Sequence, residues 1–202
     1  MKSRSEKTRS MVLMAMLSAV LLVMSFTPLG YLNIGPLAIS LNMIPVGIAA
    51  VALGPTGGAV LGAVFGVTSF LQCIGIGGTS AMGVILFEVD PFLTLFQRLV
   101  PRILAGLLSG WIYQGVKKLI NSTVACFVTG FCAALLNTAL FMLALVLLFS
   151  HHEYLQQLIG GRNIFVFICS FVGINAVVEM LAATVVVGIV GKVLNKVVLS
   201  RR

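Results

Sequence analysis

The run FQRLVPRILAG, Phe96–Gly106, carries two arginines four residues apart with a proline between them. A guanidinium is planar, stays charged at physiological pH and forks onto a carboxylate or phosphate with two parallel hydrogen bonds. A spacing of four puts Arg98 and Arg102 on one helix face. Three uses compete for such a pair: snorkelling to lipid phosphates, pairing with Glu88 or Asp90 just upstream, or holding an anionic ligand. A second polar set lies within otherwise apolar sequence. Asn175 and Glu179 share a face by the same spacing, and Asn137 adjoins Thr138. Asn42, Ser69 and Gln72 stand toward the ends of apolar runs. Such groups are costly in hydrocarbon and face a cavity or a partner. A polar ligand pocket satisfies that cost, and so do hydrogen bonds between helices.

The elements that must position these groups follow from composition. Of 202 residues, 59% are hydrophobic and 9% charged, far below the ~25% charge of soluble domains. Lipid is therefore the solvent, and the chain reads as an all-α polytopic membrane protein. About 20 apolar residues cross a bilayer. Six spans are predicted, near 10–27, 37–53, 58–74, 97–116, 122–149 and 164–194, forming one compact bundle over 1–202. Gly54–Gly57 reads as a tight turn, 75–96 as a glycine-rich and acidic loop, and 151–163 as a polar loop. Pro101 is expected within the first turn of the fourth span, where a missing amide hydrogen costs least. Residues 1–9 are a basic N-terminus ahead of a retained first helix rather than a cleaved signal.

The net charge of +8 orients the bundle. With the N-terminus inside, Lys2, Arg4, Lys7, Arg9, Lys117, Lys118, Lys192, Lys196, Arg201 and Arg202 all fall on the inner face. Only Arg98, Arg102 and Arg162 fall outside. This bias predicts both termini in the cytoplasm. The basic residues lie at the ends of apolar runs, which excludes a nucleic-acid reading. A phosphate-binding loop and a zinc-protease motif are both missing, and His151 and His152 are adjacent in a polar loop. The four cysteines are scattered without a metal-ligand spacing. No catalytic set, metal site or cofactor is assigned. Small residues recur at helical spacing. The row Gly58, Gly62, Gly66 reads as internal packing, and Ala15 with Ala19 as a face for close helix approach.

Several segments together resemble a known family. They are AMLSA (15–19), GPLAISLNMIPVGIAAVALGPTGGAVLGAVFG (35–66), DPFLTLFQRLVPRILAG (90–106), the pair at 137–138 and NAVVEM (175–180). The chain resembles the substrate-binding S components of energy-coupling factor (ECF) vitamin transporters, most of all the branch for pantothenate. The resemblance implies a subunit of a bacterial plasma-membrane transporter that captures one vitamin from outside. It implies partners as well, a membrane scaffold subunit and two ATPase subunits that hydrolyse ATP in its place. The family's usual scaffold contact falls on Ala15 and Ala19. Folate, hydroxymethylpyrimidine or thiamine precursor, pyridoxine and cobalamin are the alternative ligands, and a structural membrane subunit is the alternative class.

The expected substrate-binding residues are Arg98, Arg102, Asn42, Gln72, Asn137, Asn175 and Glu179. Pantothenate offers a carboxylate, hydroxyls and one amide. Arg98 is assigned to the anionic group, and Arg102 chiefly to tying the fourth helix to the acidic loop at Glu88–Asp90. Trp111 lies toward the inner end, away from an outer pocket, and few aromatics are expected around so small a ligand.

Overall fold

The computed structural model describes residues 4–33, 38–78, 80–161 and 163–196. Helix α1 runs over Arg4–Phe26 and stops at the Thr27–Pro28 break. A short antiparallel ribbon follows, β1 (Tyr31–Asn33) against β2 (Ala38–Ser40), with Tyr31 opposite Ser40. Then come α2 (Met43–Leu53), α3 (Pro55–Leu71), α4 (Ala81–Val89), α5 (Pro91–Leu119), α6 (Ser122–Phe149), α7 (Glu153–Ile159) and α8 (Ile164–Leu194). The fold is helical apart from the ribbon. Lys2, Arg162, Arg201 and Arg202, four of the charges used for orientation, lie outside the described residues.

Five helices among the described residues are long and apolar enough to cross a membrane: α1, α3, α5, α6 and the Asn175–Leu194 part of α8. The second expected span departs from this. Ala38–Ser40 pairs with β1, which leaves an α2 of 11 residues. That is about 16 Å of helix against about 30 Å of hydrocarbon. Nine of its residues, from Met43 to Ala52, are buried. A helix apolar all round and enclosed by protein is a core element. Here it packs against α1, α3, α5, α6 and α8. Val46 and Ala49 join Leu21, Leu61, Phe65, Ala105 and Ala133 in the central core.

The loop expected over 75–96 is instead largely helical. Ser80 caps α4, its hydroxyl accepting the Gly83 amide at 3.3 Å. Asp90 caps α5, with Oδ1 accepting the amides of Phe92 and Leu93 at 2.8 and 3.0 Å, and Pro91 occupies the first turn. Asp-Pro is a strong start signal, because the carboxylate satisfies free amides and proline needs no partner for its own nitrogen. The fourth span therefore begins six residues earlier than the sequence reading placed it. Pro101 consequently sits inside a 29-residue helix, not in its first turn. There it withholds a hydrogen from the Gln97 carbonyl.

The glycine row does pack internally. A Cβ on Gly62 would collide with the Arg102 carbonyl, and one on Gly58 with that of Gly106. A Cβ on Gly66 would lie 2.8 Å from Leu99 Cα. Backbone contact between α3 and α5 thus fixes the height of Arg98 and Arg102 relative to Ser69. At the far end Asn195 Nδ2 donates to Tyr113 Oη (2.9 Å) and Ser122 Oγ (2.8 Å), joining the ends of α5, α6 and α8.

Candidate functional site

A cavity of about 530 Å³ lies among the C-terminal ends of α1, α3 and α6 and the N-terminal part of α5. Serine 40 of β2, Ser80 ahead of α4, and the 172–179 stretch of α8 complete it. The size suits a small organic ligand. Six of the seven predicted ligand residues line it: Gln72, Arg98, Arg102, Asn137, Asn175 and Glu179. Each is more than nine-tenths buried.

Asn42 is the exception. It is fully buried in the turn before α2, outside the cavity lining, with its Oδ1 2.9 Å from where a Gly30 Cβ would stand. Its side-chain nitrogen and oxygen have no hydrogen-bond partner among the described residues. The ribbon is the reason. It brings Ser40, two residues earlier, to the cavity and turns Asn42 beneath it.

The two arginines are held differently. Arg102 Nη1 donates to the Arg98 carbonyl at 2.7 Å, and Nη2 to Ser69 Oγ at 3.0 Å. Its guanidinium carbon lies 4.6 Å from the Phe65 ring centre and 5.2 Å from that of Phe141. Arg98 also lies 5.2 Å from Phe141. Its hydrogen bond to Ser80 Oγ is long, 3.5 Å, and its Nε has no acceptor among the described residues. The expected tie from Arg102 to the acidic loop fails on length. Arg102 stands 12 residues beyond Asp90, about 18 Å along the helix axis. Asp90 is engaged in capping instead.

Across the cavity, Glu179 Oε1 accepts the Ser40 amide. Gln72 Nε2 donates to the Ser25 carbonyl at 2.6 Å, and the Ser25 and Thr68 hydroxyls meet at 3.2 Å. Asn137 Oδ1 is buried without a donor among the described residues. The lining thus carries two guanidiniums, one carboxylate, amides and hydroxyls. With Glu179 ionised, its formal charge is +1. Such a set holds a polar anion at one end and hydroxyl or amide groups at the other.

The sequence reading missed Phe65, Phe141, Ser25, Ser40 and Ser80. Two were legible: Phe141 is four residues after Asn137 and Phe65 four before Ser69, each on the face of a polar residue already singled out. Ser25, Ser40 and Ser80 reach the cavity only through tertiary contacts. Trp111 is exposed and lies outside the lining, as expected. Ala15 and Ala19 are exposed on α1, on a helix whose surface also presents Met11, Val12 and Met16.

Comparison with known proteins gives two findings. The chain is 28% identical over 200 residues to the pantothenate transporter PanT of Leuconostoc mesenteroides, an alignment covering 94% of each chain. The sequence model of the ECF transporter substrate-specific component matches residues 9–191. A match over nearly the whole chain accounts for the apolar helices and the cavity with its buried polar lining together, and the chain belongs to the substrate-specific components of ECF transporters.

Proposed function

We propose that this subunit captures pantothenate from outside the cell for ATP-driven import by a membrane scaffold subunit and two ATPase subunits. The observation that carries the ligand is the pair of arginines in the cavity lining, Arg98 and Arg102. Their positive charge complements an anionic group, and pantothenate carries a carboxylate. Its carboxylate goes to Arg98, and its hydroxyls and amide to Asn137, Asn175, Glu179 and Gln72. Phe65 and Phe141 already lie against guanidiniums, which leaves less ring surface to sandwich a flat ligand. This favours pantothenate over folate. The name of the Leuconostoc relative points the same way.

The orientation follows from charge. Lys7 and Arg9 begin α1, Lys117 and Lys118 end α5, and Lys192 and Lys196 end α8, all remote from the cavity end. The positive-inside rule then puts these ends and both termini in the cytoplasm and opens the cavity outward. The whole chain acts as one membrane domain in the bacterial plasma membrane. Ala15 and Ala19 supply the small-residue face against which the scaffold subunit docks.

Calorimetric titration of the detergent-purified protein tests the ligand. Saturable pantothenate binding at one site is expected. Absence of pantothenate binding, with tight binding of another vitamin, overturns the ligand and leaves the transporter class standing.

A further inference from the structure

One ring sits within 5.2 Å of both guanidiniums, and it belongs to Phe141. We propose that Phe141 is a positioning residue that clamps Arg98 in the orientation needed to receive the ligand's anionic group. The proposal rests on the functional reading above and adds a residue to it.

The case begins with what restrains each arginine. Arg102 has two hydrogen bonds to protein oxygens and a second ring, Phe65, at 4.6 Å. It keeps its place without Phe141. Among the described residues, Arg98 has a single long hydrogen bond, to Ser80 at 3.5 Å, and its Nε has no acceptor. An arginine side chain has many rotamers, and so little hydrogen bonding does not select one of them. The ring does. It attracts the cation through its quadrupole, most effectively where water is excluded. Arg98 is 6% exposed, which meets that condition.

The choice of a ring over a carboxylate has a chemical consequence. A carboxylate would neutralise Arg98 and occupy its N–H fork. A π face stabilises the charge while consuming no N–H donor, since those donors lie in the guanidinium plane. The fork stays open and charged. Phe141 follows Asn137 by one helical turn on α6, so the clamp and a candidate ligand amide move as one rigid element.

The test uses three forms of the full chain in detergent: wild type, Phe141→Leu and Phe141→Tyr. Leucine keeps an apolar side chain without the ring, and tyrosine keeps the ring. The probes are pantothenate and its neutral alcohol analogue, in which a hydroxymethyl group replaces the carboxylate. Phe141→Leu should weaken pantothenate about tenfold more than it weakens the alcohol, and Phe141→Tyr should restore the acid. Equal losses for acid and alcohol, or no loss for either, overturn the positioning role. A second measurement does not depend on the ligand. In protein labelled with ¹⁵N-arginine, ring currents should shift the Arg98 side-chain Nε–H resonance, and Phe141→Leu should abolish that shift. A resonance that Phe141→Leu leaves in place overturns the clamp. If the shift is abolished but wild type ignores pantothenate, the clamp stands and the ligand assignment falls.

Discussion

Replacing Arg98 by glutamine and, separately, Arg102 by glutamine should break different properties of the protein. Among the described residues, Arg98 makes one long hydrogen bond and its Nε has no acceptor. Its loss removes little from the fold. It does remove the charge-assisted hydrogen bonds to a bound carboxylate, worth about 1.5–3 kcal/mol. A central loss of about 2 kcal/mol corresponds to roughly thirtyfold weaker pantothenate binding. Arg102 is used by the fold itself. Its guanidinium bonds the Arg98 carbonyl and Ser69 and lies against Phe65 and Phe141, linking α5 to α3 and α6. Removing it forfeits two charge-assisted hydrogen bonds and two ring contacts, and relieves the desolvation of a buried cation. A net loss of about 2–3 kcal/mol is reasonable. For a chain of this size that lowers the melting temperature by about 5–10 °C. Calorimetric binding and thermal unfolding, both in the same detergent, measure the two effects. Normal binding by Arg98→Gln would refute the assignment of its open fork to the ligand. If Arg98→Gln is the unstable variant and Arg102→Gln the weak binder, the roles are reversed.

Gly62→Val should abolish accumulation of folded protein, because its added carbons would collide with the Arg102 carbonyl; size-exclusion chromatography after solubilisation reads this, and a monodisperse variant would contradict the backbone contact. Glu179→Ala should speed exchange of the Ser40 amide by about ten- to a hundredfold, as one bond to a charged acceptor is lost; unchanged exchange by mass spectrometry would show that the ribbon is held by other means. Ala15→Trp and Ala19→Trp, on the exposed surface of α1, should eliminate uptake in cells while leaving pantothenate affinity within about twofold, because bulk there blocks close helix approach. Uptake surviving both changes would remove the docking assignment.

Much of the site was legible because a membrane makes polar residues conspicuous. Gln72, Arg98, Arg102, Asn137, Asn175 and Glu179 stand out against hydrocarbon-compatible neighbours, and all six line the cavity. Helical spacing also grouped them correctly into faces. The same reasoning failed at Asn42. There the sequence resembles a span, and the departure is a three-residue strand, Ala38–Ser40, paired with Tyr31–Asn33. Local hydropathy does not distinguish a helix surrounded by lipid from one surrounded by protein, which is how α2 passed for a crossing helix. The Asp-Pro start of α5 was readable locally, and following it would have placed Pro101 in the helix interior.

Composition and periodicity by themselves determined that this chain is a helical membrane protein with buried polar groups facing inward, since the cost of charge in hydrocarbon leaves few other arrangements. The tertiary structure decided what each of those groups does. It made α2 a core helix, took Asn42 out of the cavity and brought Ser40 to Glu179. It gave Arg102 to the fold and left Arg98 open, because only contacts between distant segments determine which donors are already used.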